Sequence, residues 1–176
     1  MSKSLTLFFF LLAVICLFFM GRSKDKPNLS VKEVNFLTGY SLYSARVASD
    51  LYPKKVPVSV IMAQAILESG WGESKSAKEN KSLFGWKSGK SWTGMRGKNG
   101  DGTCRKYLNW NESYVDHVRS LNQYKWYAKC FETRGLTKKS ISIKWVECLE
   151  DAGYCKNDYA TKLKRVINQY KLYQYD

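Results

Sequence analysis

Apolar residues recur at intervals near three to four, with one of five, at Val31, Val34, Leu37, Leu42, Ala45 and Ala48, a spacing that lines one face of a helix and predicts an amphipathic helix to about Leu51. From Pro57 the pattern changes. Val58 to Leu67 is apolar almost all round, so the helix predicted there belongs in a core, with Pro57 as its first residue and Gly70 and Gly72 ending it. Residues 74–80 have room for one or two further turns. Between Leu83 and Trp110 the helical period is lost. Six of the chain's 12 glycines lie there among aromatic residues, and Asn99-Gly100 and Asp101-Gly102 are turn dipeptides, which predicts a small irregular β-hairpin lobe. Helical spacing then resumes. Asn111 is the expected cap of a helix through Leu121, a second helix starts at Thr137 or Lys138 and reaches Asp151, and a last one spans Asn157 to Tyr170 with Leu163, Val166, Ile167 and Tyr170 as its stripe. The fold class is therefore mainly α (α+β), with one β excursion and no internal repeat.

The start of the chain follows a different rule. Leu5 to Met20 carries no charge, follows Lys3 and is succeeded by Arg22, Lys24 and Lys26, the layout of an export signal or a short anchor. Residues 1–23 are thus expected to be a signal peptide or signal anchor, 24–30 a linker and 31–176 one globular domain. No Ala-x-Ala-like pair follows the apolar run, so cleaved and uncleaved forms both stay open. Ile15 stands before Cys16 where lipidation calls for a small residue. The expected location is outside the cytoplasm: periplasm, cell envelope or medium, or the inner membrane if the segment is retained.

Composition narrows the partners. The 176 residues are 44% hydrophobic, enough for one core, and carry a net charge of +14; residues 1–26 hold four basic and one acidic side chain, leaving +11 on the remainder. A basic chain seeks a polyanion, and export removes nucleic acid as a partner. A cell wall with its peptide carboxylates is the polyanion an exported protein meets. Besides Cys16 there are four cysteines, Cys104, Cys130, Cys148 and Cys155, which permit two disulfides in any of three connectivities. Their spacing is not that of a metal site, and His117 is the single histidine, so no metal and no cofactor are implied. A monomer is expected.

Glu68 is the residue with the clearest chemical promise. It lies near the C-terminal end of the most apolar helix, on the face shared by Gln64, Ala65 and Ile61. Partial desolvation and the negative end of the helix dipole both raise a carboxyl pKa there, so it can keep a proton and give it to a leaving oxygen. Gly70 and Gly72 are expected to let a polymer approach the backbone closely. As a rival, Cys104 as nucleophile and His117 as base would make a cell-wall cysteine peptidase.

Several segments resemble one family. Ala65-Ile66-Leu67-Glu68-Ser69-Gly70-Trp71-Gly72-Glu73-Ser74, with Ala77 and Asn80, is similar to the signature of the bacterial endo-β-N-acetylglucosaminidases, the glucosaminidase family of many autolysins and flagellar wall-digesting enzymes. Leu83-Phe84-Gly85-Trp86-Lys87 resembles the family's Leu-Phe-Gly-Ile-Lys element, and Trp92-Thr93-Gly94 its Trp-x-Gly. Cys104-Arg105-Lys106-Tyr107 with Asn111 to His117 resembles the strand and helix that follow, and Ala152-Gly153-Tyr154 with Asp158 to Leu163 the element near the family's C-terminus. The resemblance covers about Val56 to Asp176. It implies a lysozyme-like helical domain with a β-lobe lining a cleft, and hydrolysis of peptidoglycan glycan strands after N-acetylglucosamine.

Carried over residue by residue, the resemblance makes Glu68 the general acid and places Tyr154 in the cleft, where its hydroxyl meets the acetamido group or a water. Phe84, Gly85, Trp86, Trp92 and Tyr127 are the expected substrate-binding residues. Glycosidases commonly need a second carboxylate. The family's Thr-x-Glu in the β-lobe is missing, and Asp101 is the sole acidic residue between Glu79 and Glu112, which makes it the candidate base. Assistance by the substrate's own acetamido group is the alternative, as are a lytic transglycosylase and a non-catalytic wall-binding relative. Glu73 is expected to pair with Lys75 or Lys78, and His117 to be structural.

Overall fold

The computed structural model describes residues 29–176 except 101, 156 and 157. The export segment expected over 1–23 and the candidate base Asp101 lie outside the described residues. Among the described residues no helix is long and apolar enough to cross a membrane. The chain forms α1 (Val31–Thr38), α2 (Tyr40–Asp50), α3 (Val58–Ser69), α4 (Lys75–Glu79), β1 (Arg96–Asn99), β2 (Gly102–Arg105), α5 (Trp110–Gln123), α6 (Lys138–Asp151) and α7 (Tyr159–Gln169), with 3₁₀ segments at Lys125–Phe131 and Leu172–Tyr175.

The single helix expected from Val31 to Leu51 is two. Ser30 starts α1 with a capping box, its hydroxyl accepting from the Glu33 N–H while the Glu33 carboxylate accepts from the Ser30 N–H. The chain then breaks at Gly39 (φ −90°, ψ −148°), where a Cβ would stand 2.5 Å from the Asn35 carbonyl oxygen. That bend lets α2 lie against both α3 and α5, with Ala45 and Ala48 fully buried at the contact. A periodicity count does not see the break, because the apolar stripe resumes in phase after it.

Helix α3 runs through the core, packed by α2, α6, α7 and the C-terminal 3₁₀ segment, and Val60 to Ala65 have no exposed surface. Its β-branched residues are mediocre helix formers, and the roughly 1.5–3 kcal/mol from burying each large side chain such as Ile61 or Met62 outweighs that. Pro57 precedes the helix as its cap residue, one position earlier than expected, and offers no side-chain acceptor. Asp176 supplies one from afar, accepting from the Ser59 N–H (2.8 Å), the Ser59 hydroxyl (2.7 Å) and the Ser142 hydroxyl (2.9 Å), which pins α3 to α6.

At the other end Gly70 takes the left-handed conformation (φ 56°, ψ 51°). Gly72 does not serve substrate approach as expected. It is buried, and a Cβ on it would lie 2.4 Å from the Trp110 indole, so its bareness makes room for that ring.

The β-lobe is a two-stranded antiparallel hairpin with Arg96 opposite Arg105 and Asn99 opposite Gly102, extended by a bridge from Lys87 to Cys104. The Asn80 side chain donates to the Lys98 carbonyl (2.8 Å) and holds the hairpin to the helical body. Asn109, not Asn111, caps α5, because its side-chain oxygen accepts from the Glu112 N–H (3.2 Å); Asn111 bonds the Tyr40 hydroxyl instead. Helix α6 begins at Lys138, within the expected start, with Thr137 as its cap, and Glu73 pairs with Lys78 (2.5 Å).

Among the described residues one disulfide forms where the cysteine count permitted two. Cys130–Cys148 joins the first 3₁₀ segment to α6, while Cys104 is a buried thiol against Asn80 and Cys155 is exposed and outside the bridge. The bridge closes an 18-residue separation. Chain entropy then predicts that Cys148→Ala lowers unfolding free energy by about 3 kcal/mol, measured as a shift in the urea midpoint.

Candidate active site

Glu68 sits in the last turn of α3, where the helix end opens into a cavity of about 550 Å³. Phe84, Gly85 and Trp86 form one wall with Arg105 from β2. Tyr124, Trp126 and Tyr127 form another, and Tyr154 and Tyr159 close the base between α6 and α7. Gly85 has φ 62°, and a Cβ there would stand 3.8 Å from Glu68 Oε2, so the chain turns tightly past the carboxyl. Tyr154 is placed by the end of α6, where Gly153 (φ 77°) turns the chain and the Tyr154 N–H bonds the Leu149 carbonyl (2.9 Å).

Tyr159 is the first residue of α7 and donates its hydroxyl to Glu68 Oε1 at 2.5 Å. Tyr154, stacked on Tyr159 at 5.6 Å, hydrogen-bonds Glu68 as well. Burial pushes the Glu68 pKa up to about 8, and the two tyrosine hydrogen bonds oppose that only in part. The side chain keeps an edge open to the cavity, yet the carboxyl lies deep enough that lost hydration dominates. Burial, with the Glu68 carboxyl close by, drives both tyrosines well above the usual phenol range, so they stay protonated donors. A carboxyl that holds its proton at neutral pH beside two fixed donors can act as a general acid.

Among the described residues, no second carboxylate lines this cavity. Of the residues singled out in the sequence, Glu68, Tyr154, Phe84, Gly85, Trp86 and Tyr127 come together here. Phe84 is buried with its ring face stacked on His117 at 3.8 Å, so it backs the wall, whereas Trp86 is half-exposed. Trp92 is elsewhere. It lines a separate cavity of about 660 Å³ with Tyr107, Glu112 and Arg119, and is linked to Trp86 through the Arg105 guanidinium, which lies 4.6 Å from one ring and 5.3 Å from the other.

The thiol-peptidase arrangement is not formed. Cys104 contacts Ser76 and Asn80, and both ring nitrogens of His117 are engaged by Trp86 and Gln64.

Gln64, Arg105, Tyr124, Trp126 and Tyr159 line or support the site without having been among the expected site residues. Gln64 had a visible signal, a lone amide one turn before Glu68 in a helix otherwise apolar. Tyr159 and Arg105 lay inside segments that resemble the family but carried no expected role, and Tyr124 and Trp126 had no signal, since tertiary packing alone brings them to the end of α3. Trp126 is 52% exposed and stacks on Tyr124 at 4.7 Å, a flat aromatic surface at the cavity rim.

The model of the family described as Glucosaminidase, mannosyl-glycoprotein endo-beta-N-acetylglucosaminidase, matches residues 44–172. The chain is 33% identical to peptidoglycan hydrolase FlgJ of Salmonella typhimurium, over 85% of its own length and 49% of that protein's. It is 30% identical to exo-glucosaminidase LytG of Bacillus subtilis, over 98% and 66% of the two chains. It thus spans about half the length of several relatives it matches. Among solved structures, the glycoside hydrolase domain of Salmonella typhimurium FlgJ superposes with a TM-score of 0.61 at 30% identity, covering 78% of this chain and 87% of that one. A peptidoglycan hydrolase from Sphingomonas sp. A1 gives 0.63 at 28% identity, covering 80% and 90%.

Proposed function

We propose, from the premise that this chain belongs to the glucosaminidase family and has its lysozyme-like, mainly helical fold with a hairpin lobe, that it hydrolyses peptidoglycan at the bond following N-acetylglucosamine. The observation that carries the reading is the Glu68 carboxyl, set in an aromatic cavity with its proton retained to about pH 8. Glu68 donates that proton to the glycosidic oxygen as the bond breaks, and the departing sugar leaves as a neutral alcohol. Trp86, Tyr127 and the Tyr124–Trp126 stack supply flat apolar surfaces for sugar rings, and Tyr154 orients the acetamido group beside the acid.

Asp101 is the proposed base for the attacking water. In the sequence it stands between Gly100 and Gly102. On a zymogram of purified peptidoglycan, Asp101→Asn is expected to lose about 10²-fold or more in lysis. Wild-type lysis by Asp101→Asn overturns that assignment in favour of attack by the substrate's acetamido oxygen. In that pathway Glu68, having given up its proton, takes one from water in the second step.

The acid also sets the pH dependence. Lysis is expected to fall about tenfold per pH unit above about pH 8, as Glu68 loses its proton, when rates are followed by turbidity across pH 6–10. The setting fits residues 31–176 as the catalytic domain of an exported monomer, carried across the membrane by residues 1–23, with 24–30 joining the two.

A further inference from the structure

A buried line of hydrogen bonds ends on Glu68. The Trp86 Nε1–H bonds His117 Nδ1 (3.1 Å), His117 Nε2 meets Gln64 Oε1 (3.0 Å), Gln64 Nε2–H bonds the Tyr159 hydroxyl (3.1 Å), and that hydroxyl bonds Glu68 Oε1 (2.5 Å). We infer that His117 and Gln64 are positioning residues of the acid, which act through Tyr159 to keep Glu68 Oε1 an acceptor and so confine the transferable proton to Oε2.

The direction of the line is forced by chemistry. An indole nitrogen only donates, so His117 Nδ1 must accept and its proton must lie on Nε2. That proton requires an acceptor, which turns the Gln64 amide oxygen toward His117 and its NH₂ toward Tyr159. The Tyr159 oxygen, having received the amide, has one proton left to give. It gives it to Glu68. With Oε1 engaged as the acceptor of the Tyr159 proton, the acid's own proton is favoured on Oε2, the oxygen on the Gly85 side, and the Tyr154 hydroxyl completes the surroundings of the carboxyl.

Burial supports the middle of the line, whose Trp86 and Glu68 ends are part-buried. Gln64 and His117 have no exposed surface and Tyr159 has 4%, so no water competes for these groups. Lost hydration drives the His117 pKa down to about 3, against a weaker opposing pull from Asp116, and the ring stays neutral across the working range. Were His117 protonated, both nitrogens would donate and the Trp86 N–H would face another N–H. Phe84 stacks flat on the ring at 3.8 Å and holds its plane.

The inference rests on Glu68 being the proton donor, and its test is a double-mutant cycle between His117 and Tyr159, with initial rates on solubilised glycan strands from pH 6 to 10. Tyr159→Phe and His117→Phe are each expected to lower kcat about tenfold, the equivalent of one lost hydrogen bond, with KM within twofold. In each, the basic limb of the profile moves to higher pH, because the Tyr159 hydrogen bond that lowers the Glu68 pKa is lost or redirected. The double variant is expected to match Tyr159→Phe alone. Multiplicative losses, or a His117→Phe profile whose basic limb stays in place, overturn the inference. If His117→Phe melts below the assay temperature, Gln64→Met enters the cycle in its place with the same expectations. Glu68→Gln separates the two layers. If it lyses walls normally the acid assignment fails, whereas an inactive Glu68→Gln with a multiplicative cycle removes the relay alone.

Discussion

Glu68→Gln is expected to reduce lysis of purified peptidoglycan by about 10³-fold while leaving the protein folded. Gln keeps the shape of the side chain and can still accept from Tyr159, so the cavity survives and only the transferable proton is lost. Stability then moves in a direction that a purely structural carboxylate would not show. The folded pKa of Glu68, about 8, lies above its unfolded value near 4.5, so the wild type holds more protons folded than unfolded in that window. Its full stability is present below about pH 4.5 and declines as pH rises toward 8, flattening above. Glu68→Gln has no proton to lose. It should melt close to the wild type at pH 4 and above it at pH 9, by on the order of 1–3 kcal/mol after allowance for the edge open to solvent. Lower activity with higher alkaline stability is the signature of a carboxyl buried for chemistry.

The second large effect lies behind the cavity wall. Asp116, 4% exposed, accepts from Arg105 Nη1 (2.6 Å), the Tyr107 hydroxyl (2.7 Å) and Arg119, and Arg105 is itself 11% exposed at the side chain. Asp116→Ala leaves the Arg105 charge without its carboxylate in a buried setting, a change that typically costs about 3–5 kcal/mol. A fall in Tm of roughly 10 °C is expected by calorimetry, with loss of activity at lower temperature, since Arg105 packs on Trp86 and lines the Glu68 cavity. Asp50→Ala breaks only the exposed pair with Lys55 and should change stability by less than about 1 kcal/mol. The contrast assigns the effect to burial and not to ion pairing as such.

What was legible in the sequence follows from where each signal is stored. Helix α3 and its ending at Gly70 were visible because an all-round apolar run and a left-handed glycine are local properties of the chain. The Thr137 cap and the hairpin's turn dipeptides were visible for the same reason. The break at Gly39 was hidden, since the stripe from Val31 to Ala48 continues in phase across it. Asn109 was passed over for Asn111 because both are good cap residues two positions apart, and only the path of the backbone selects one.

At the site, Glu68 stood out from its own helix, but its immediate partner Tyr159 is 91 residues away and arrives through the packing of α7 on α3. Trp92 shares the β-lobe with Trp86, yet the Arg105 side chain stands between them and turns it toward the neighbouring cavity. Cysteine counting allowed two disulfides, whereas the fold buries Cys104 beside Asn80 and joins only Cys130 to Cys148.

Hydrolysis driven by the proposed Glu68 proton leaves glycan chains that end in reducing N-acetylglucosamine. Mass spectrometry of the soluble fragments from a wild-type digest of purified peptidoglycan tests it directly. Fragments that end in reducing N-acetylglucosamine are expected, as is their absence from the Glu68→Gln digest. Anhydro-muramic ends, which a transglycosylase leaves, would contradict hydrolysis.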